Sequence, residues 1–71
     1  MRHDETKRHA AKKIAAGLYV YRGCEIERVF TEWCKAWEWM IRDAANGEWW
    51  ETVATLRDAR KYIDDARDSR V

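Results

Sequence analysis

Hydrophobic and polar positions along the chain follow two different periods. In "TLRDARKYIDDARDS", residues 55–69, Leu56, Ala59, Tyr62, Ile63 and Ala66 return at spacings of three and four, the stripe of an amphipathic helix. Thr55 stands at the N-cap and Asp58 at the third helical position, a variant of the capping box. Arg57, Arg60, Lys61, Asp64, Asp65, Arg67 and Asp68 form its mixed-sign outer surface, the pattern of a solvated face. The opening "DETKRHAAKKIAAG" also reads as a helix, predicted over residues 1–17: acids lie in its first turn and Gly17 stands where a C-cap glycine belongs. Its apolar stripe, Ala10, Ala11, Ile14 and Ala15, is thin.

The centre, residues 18–54, fits two templates. On the helical one, Ile26, Val29, Phe30, Trp33, Trp37, Met40, Ile41 and Ala44 share a face and the chain becomes an all-α three-helix bundle. On the strand one, Trp37, Trp39 and Ile41 alternate with Glu38, Met40 and Arg42, Asn46-Gly47 turns the chain, and "EWWETVA" returns as a partner. A two- or four-residue loop then places Trp37, Trp39, Ile41, Trp50, Thr52 and Ala54 on one face and Met40, Arg42, Trp49, Glu51 and Val53 on the other. In the two-residue register Arg42 faces Glu51. Arg22-Gly23 turns an earlier hairpin, with Tyr19, Tyr21, Cys24 and Ile26 on a common face.

The runs "YVYRGCEI", "WEWMIRD" and "TLRDARKYID" resemble a layout found in small uncharacterised proteins of actinobacterial phages, over roughly residues 18–65. That resemblance implies a compact sheet with one helix packed across it and a phage accessory role, and it carries no assigned active site. It favours an α+β chain: an N-terminal helix, an antiparallel meander of three or four strands, and a C-terminal helix on the sheet, with the bundle as the alternative.

Composition narrows the function classes. With 71 residues the chain is one small domain near the lower size limit for independent folding. Nine aromatic residues, five of them Trp between positions 33 and 50, supply much apolar area per side chain. No run approaches the ~20 apolar residues that cross a bilayer, and the N-terminus lacks an apolar signal segment, so a soluble intracellular protein is the expectation, and the phage resemblance implies the cytoplasm of an infected bacterium. Cys24 and Cys34 have no companion at zinc spacing and read as packing residues or free thiols. His3 and His9, six apart, point to different faces of a helix and form no metal pair. Gly17, Gly23 and Gly47 are scattered singly, which excludes a phosphate loop. No cofactor and no enzymatic activity are expected.

Charge is unevenly laid out. Residues 1–16 carry Arg2, Lys7, Arg8, Lys12 and Lys13 against Asp4 and Glu5, net +3, while residues 17–54 are net −3. The basic segment raises a double-stranded nucleic-acid module using Arg2, Lys7, Arg8, Lys12 and Lys13, opposed by Asp58 in the last helix and by the acidic sheet. A variant stacks bases on Tyr19, Tyr21 or Trp49. The leading expectation is protein binding: Trp49, Met40 and Val53 rimmed by Arg42 and Glu51 have the composition of a hot spot, through which a host or phage protein would be occluded or a homodimer formed.

Overall fold

The structure is a computed structural model that describes residues 10–69. Five strands run as an antiparallel meander in spatial order β1-β2-β3-β4-β5, followed by one helix. They are β1 Lys12–Ala15, β2 Leu18–Tyr21, β3 Cys24–Thr31, β4 Ala36–Asp43 and β5 Trp49–Val53, and the helix is α1 Leu56–Asp68.

Three expectations are corrected. The helix predicted over residues 1–17 gives way to β1, and its first nine residues lie outside the described ones. An Ala- and Lys-rich segment has good intrinsic helix propensity, but propensity yields to tertiary pairing. As a helix the segment would bury little, whereas as a strand it satisfies the outer backbone groups of β2 through the pairs Lys12–Val20, Lys13–Tyr19 and Ala15–Leu18. Gly17 does adopt a left-handed conformation (φ +74°), as a C-cap would, but it turns a hairpin. The three-helix bundle fails because β3 and β4 pair along eight residues each, from Cys24–Asp43 to Thr31–Ala36. The sheet therefore has five strands where three or four were expected.

Local chemistry explains the remaining turns. Arg22 and Gly23 both have positive φ (50° and 82°), the backbone of a two-residue hairpin turn matched to strand twist, and Tyr21 pairs with Cys24 across it. At the β4–β5 loop Asp43 N–H donates to the Glu48 carbonyl (2.8 Å), and the side chains of Asp43 and Asn46 accept from the backbones of Ala45 and Glu48. Thr55 caps α1 by accepting from the Asp58 amide at 3.0 Å.

The core lies between α1 and one end of one sheet face. Register rows put Tyr21 with Cys24, and Ile26 with Ile41, on the side that α1 covers with Ala59 and Ile63; all six are buried. Leu56, Trp39, Trp50, Val53, Tyr19 and Ala11 pack around them.

A charged latch fixes the helix to the β2–β3 turn. The Tyr21 hydroxyl donates to both oxygens of Asp64 (2.8 and 3.0 Å), and the Arg22 guanidinium reaches Asp64 (2.8 Å) and Asp68 (3.0 Å). Arg67 donates from Nε to the Arg22 carbonyl at 3.1 Å and lies over the Trp50 ring, 5.1 Å from its centroid. Burial raises the Tyr21 pKa, and the hydrogen bond to the Asp64 carboxylate adds to the rise.

Because the folded value is raised, Tyr21 stabilises the fold fully below the free-tyrosine value of about 10; that contribution is lost as pH climbs from there through the folded value. Tyr21→Phe is expected to cost about 1–2 kcal/mol at neutral pH and to reduce the alkaline loss of stability, read from urea unfolding midpoints at several pH values. An unchanged midpoint at neutral pH would show that the Tyr21–Asp64 hydrogen bonds contribute nothing.

Candidate functional site

The two faces of the sheet differ in cover. On the α1 side the helix stops short of the Thr31–Ala36 end, where β3 and β4 run on with Arg28, Phe30, Trp37 and Trp39 facing the same way as Ile26 and Ile41. Phe30 pairs with Trp37 and Arg28 with Trp39, while Tyr19 and Lys13 join from β2 and β1. The rings stand in two edge-to-face pairs, Tyr19–Trp39 at 5.8 Å and Phe30–Trp37 at 5.3 Å between centroids, both inclined at 66°. The Arg28 guanidinium lies 4.6 Å from the Trp37 centroid.

This shelf is open to solvent. Phe30 and Trp37 keep 44% and 56% of their surface, and Trp33, on the turn just beyond, keeps 88%. A groove of about 480 Å³ is lined by Lys13, Ala16, Gly17, Tyr19, Arg28, Trp37 and Trp39, which bring two cations and no carboxylate. Gly17 contributes no side chain to this wall, and its carbonyl accepts the Arg28 amide at 2.8 Å.

Of the predicted patch, Trp49, Met40 and Arg42 lie together on the other face: Arg42 pairs with Trp49 and Met40 with Thr52, whose hydroxyl accepts from the Trp49 indole at 3.1 Å. Val53 and Glu51 do not join them. The register shifts between Ile41 and Arg42, so Ile41 faces Glu51 and Arg42 faces Trp49, leaving Trp50 as the extra residue of a bulge. That one residue reverses the parity of the rest of β5. Val53 consequently stands opposite Trp39 and packs on the core, and Thr52 moves to the open face, against expectation. Trp50 packs on the core under Arg67, while Trp49 remains 56% exposed. Arg42, expected opposite Glu51, forms ion pairs with Glu25 (2.8 Å) and Glu27 (3.0 Å) instead; the hydrogen bond to Glu27 leads in raising its pKa.

The predicted nucleic-acid residues separate as well. Arg2, Lys7 and Arg8 lie outside the described residues. Lys12 and Lys13 are successive strand residues and so project to opposite faces; Lys13, paired with Tyr19, alone reaches the shelf. Of the proposed stacking rings, Tyr19 is on the shelf, Tyr21 is buried under α1 and Trp49 is on the far face. The shelf residues Arg28, Phe30 and Trp37 were not among the predicted site residues. Both cysteines are free, Cys24 buried and Cys34 exposed, and burial raises the Cys24 thiol pKa. Among the described residues no group of His, Cys, Asp and Glu is placed to hold a metal ion, and no helix is long and apolar enough to cross a membrane.

The two consecutive tryptophans should respond differently to truncation. Trp50→Ala is expected to cost at least about 2 kcal/mol, a large-to-small change against the core, and Trp49→Ala less than about 1 kcal/mol. Chemical denaturation of the two variants checks this, and equal losses would contradict the placement of Trp50 on the core and Trp49 on the open face. No family model, curated protein or solved structure matches the chain.

Proposed function

We propose that this chain is a non-enzymatic binding module that holds a partner macromolecule against the uncovered, ring-bearing end of its sheet. The observation that carries the reading is the exposure of Phe30, Trp33 and Trp37, at 44%, 88% and 56%, at one end of so small a molecule. A chain of this size gains from burying every large ring it can. Rings left outside, beside an arginine, have the composition of binding hot spots. The groove offers rings and two cations, which suit binding, and no nucleophile beside a base.

The reading keeps the function class expected from the sequence, an aromatic surface that occludes what it binds, and moves that surface. With Val53 turned inward and Glu51 across from Ile41, the Trp49 patch keeps only Met40 and Arg42 from its expected set, and two glutamates already occupy Arg42. A phage accessory role is compatible with such a module and belongs to the same proposal.

A contact surface and a core respond differently to mutation. The double variant Phe30→Ser/Trp37→Ser is expected to fold with a stability loss under about 2 kcal/mol, the worth of an exposed ring pair and its arginine. Ile41→Ala, at a fully buried position, should cost about 2–5 kcal/mol. Thermal unfolding by circular dichroism reads both, and a loss in the double variant equal to that of Ile41→Ala would make the shelf structural and end the proposal.

A further inference from the structure

We infer that the shelf is a stacking platform for single-stranded nucleic acid, with bases laid on Trp37, Phe30, Trp39 and Tyr19 and phosphates met by Arg28 and Lys13. This rests on the reading of the shelf as a contact surface and names its occupant.

Three observations lead to a strand of bases. Trp37 and Trp39 are two residues apart on one strand, so their rings rise from the sheet at a separation of about 6.8 Å along it, in successive rows. Phe30 and Tyr19 flank them at 5.3 and 5.8 Å, each tilted 66° from its neighbour, so each pair covers one face of one ring with an edge and does not close two faces against each other, while Arg28 lies over Trp37. Flat, sequence-tolerant π-faces of this kind take unpaired bases. Bases within a duplex are stacked on one another and present no free face.

The second observation is charge. Both ionisable side chains of the groove other than Tyr19 are cations, and among the described residues neither Lys13 nor Arg28 has a carboxylate partner within salt-bridge reach. The other arginines facing the sheet are committed: Arg22 to Asp64 and Asp68, Arg42 to Glu25 and Glu27. Carboxylates on the α1 side lie in rows nearer the helix, with Glu51 opposite Ile41 and Asp43 opposite Cys24. At the tip, Glu32 and Lys35 are both exposed and offset one another.

The third is the contrast with the opposite face, where Glu25, Glu27 and Glu38 accompany Arg42 and Lys12. A polyanion is repelled there and admitted on the shelf. An acidic protein surface would satisfy the cations too, but it would leave the spaced, tilted rings unexplained.

Fluorescence anisotropy of the full chain with a labelled oligodeoxythymidine of about 15 nucleotides tests this, with the matching duplex as competitor. Saturable binding is expected, with the duplex the weaker ligand. The logarithm of affinity should fall with the logarithm of salt, and Arg28→Gln or Lys13→Gln should each make that slope shallower by about 0.7. Trp37→Leu should weaken binding at least about fivefold while Trp49→Leu, on the opposite face, leaves it unchanged. Should Trp37→Leu lose its fold, the Arg28→Gln and Lys13→Gln slopes decide alone. No measurable binding, equal binding of duplex, or loss through Trp49 but not Arg28 would each overturn the inference. A protein complex or homodimer that Phe30→Ser/Trp37→Ser abolishes, in a chain with no affinity for the oligonucleotide, would overturn it while leaving the contact surface standing. Failure of that double variant to fold would remove both.

Discussion

A single helix of 13 residues has to close a sheet whose central strands are eight residues long. At 1.5 Å per residue α1 is about 20 Å long, while β3 and β4 extend about 27 Å, and the five strands span about 19 Å from first to last at about 4.8 Å spacing. Only Ala59 and Ile63, one helical turn apart, are buried on the helix side. The area they cover is filled by Tyr21, Cys24, Ile26 and Ile41. Trp39 and Val53, one row further out, still pack on its rim, and beyond them Phe30 and Trp37 are left uncovered. The open shelf is therefore a consequence of element lengths: no repacking of side chains within the described fold would cover Phe30 and Trp37.

Where the helix sits along the strands depends on the charged latch. Apolar burial alone is indifferent to sliding, since α1 could shift toward Trp37 and exchange one set of rings for another. The pairs of Arg22 with Asp64 and Asp68, the Tyr21–Asp64 hydrogen bonds and the reach of Arg67 to the Arg22 carbonyl are directional and all involve the β2–β3 turn. They hold the C-terminal half of α1 at that end of the sheet. Arg22 is also the residue whose positive φ the turn needs, so the side chains that position the helix issue from the turn that sets the register. The latch and the shelf are thus coupled: fixing the helix at one end leaves the rings free at the other.

Much of this was legible in the residues, and the failures have local causes. Thr55, Asp58 and the Leu56–Ala66 stripe marked α1, and Arg22-Gly23 marked a hairpin whose face assignment, Tyr19, Tyr21, Cys24 and Ile26 together, matches the register. Alternation also placed Trp37, Trp39 and Ile41 on one face. What alternation cannot contain is a bulge: Trp50 reads as an ordinary strand residue, yet it shifts Val53 and Glu51 off the expected patch. The segment around Lys12 misled for a different reason, because Ala, Lys and a following glycine signal helix locally, and only the unpaired edge of β2 decides otherwise. The shelf itself could have been suspected from a comparison of lengths. On this face two long strands carry apolar residues out to Phe30 and Trp37, interrupted only by Arg28 before the tip, while the helix offers apolar residues for only part of that span.

Exposed rings on a flat sheet invite self-association, and the rest of the molecule limits it. The bulge twists β5 at one edge, and β1 at the other is a four-residue strand with its own register slip and two lysines, features that discourage strand addition. On the shelf the edge-to-face pairs and the Arg28 guanidinium cover part of each ring, which lowers the cost of leaving it in water, while the cation repels its counterpart in a second copy stacked on the same face. A ligand that brings both a flat π-face and a negative charge meets neither obstacle: it replaces water on the rings and neutralises Arg28 and Lys13 together. On the proposed reading, the cations that disfavour a second copy on the shelf are also the groups that would favour an anionic, unsaturated partner, so both effects would derive from one set of side chains.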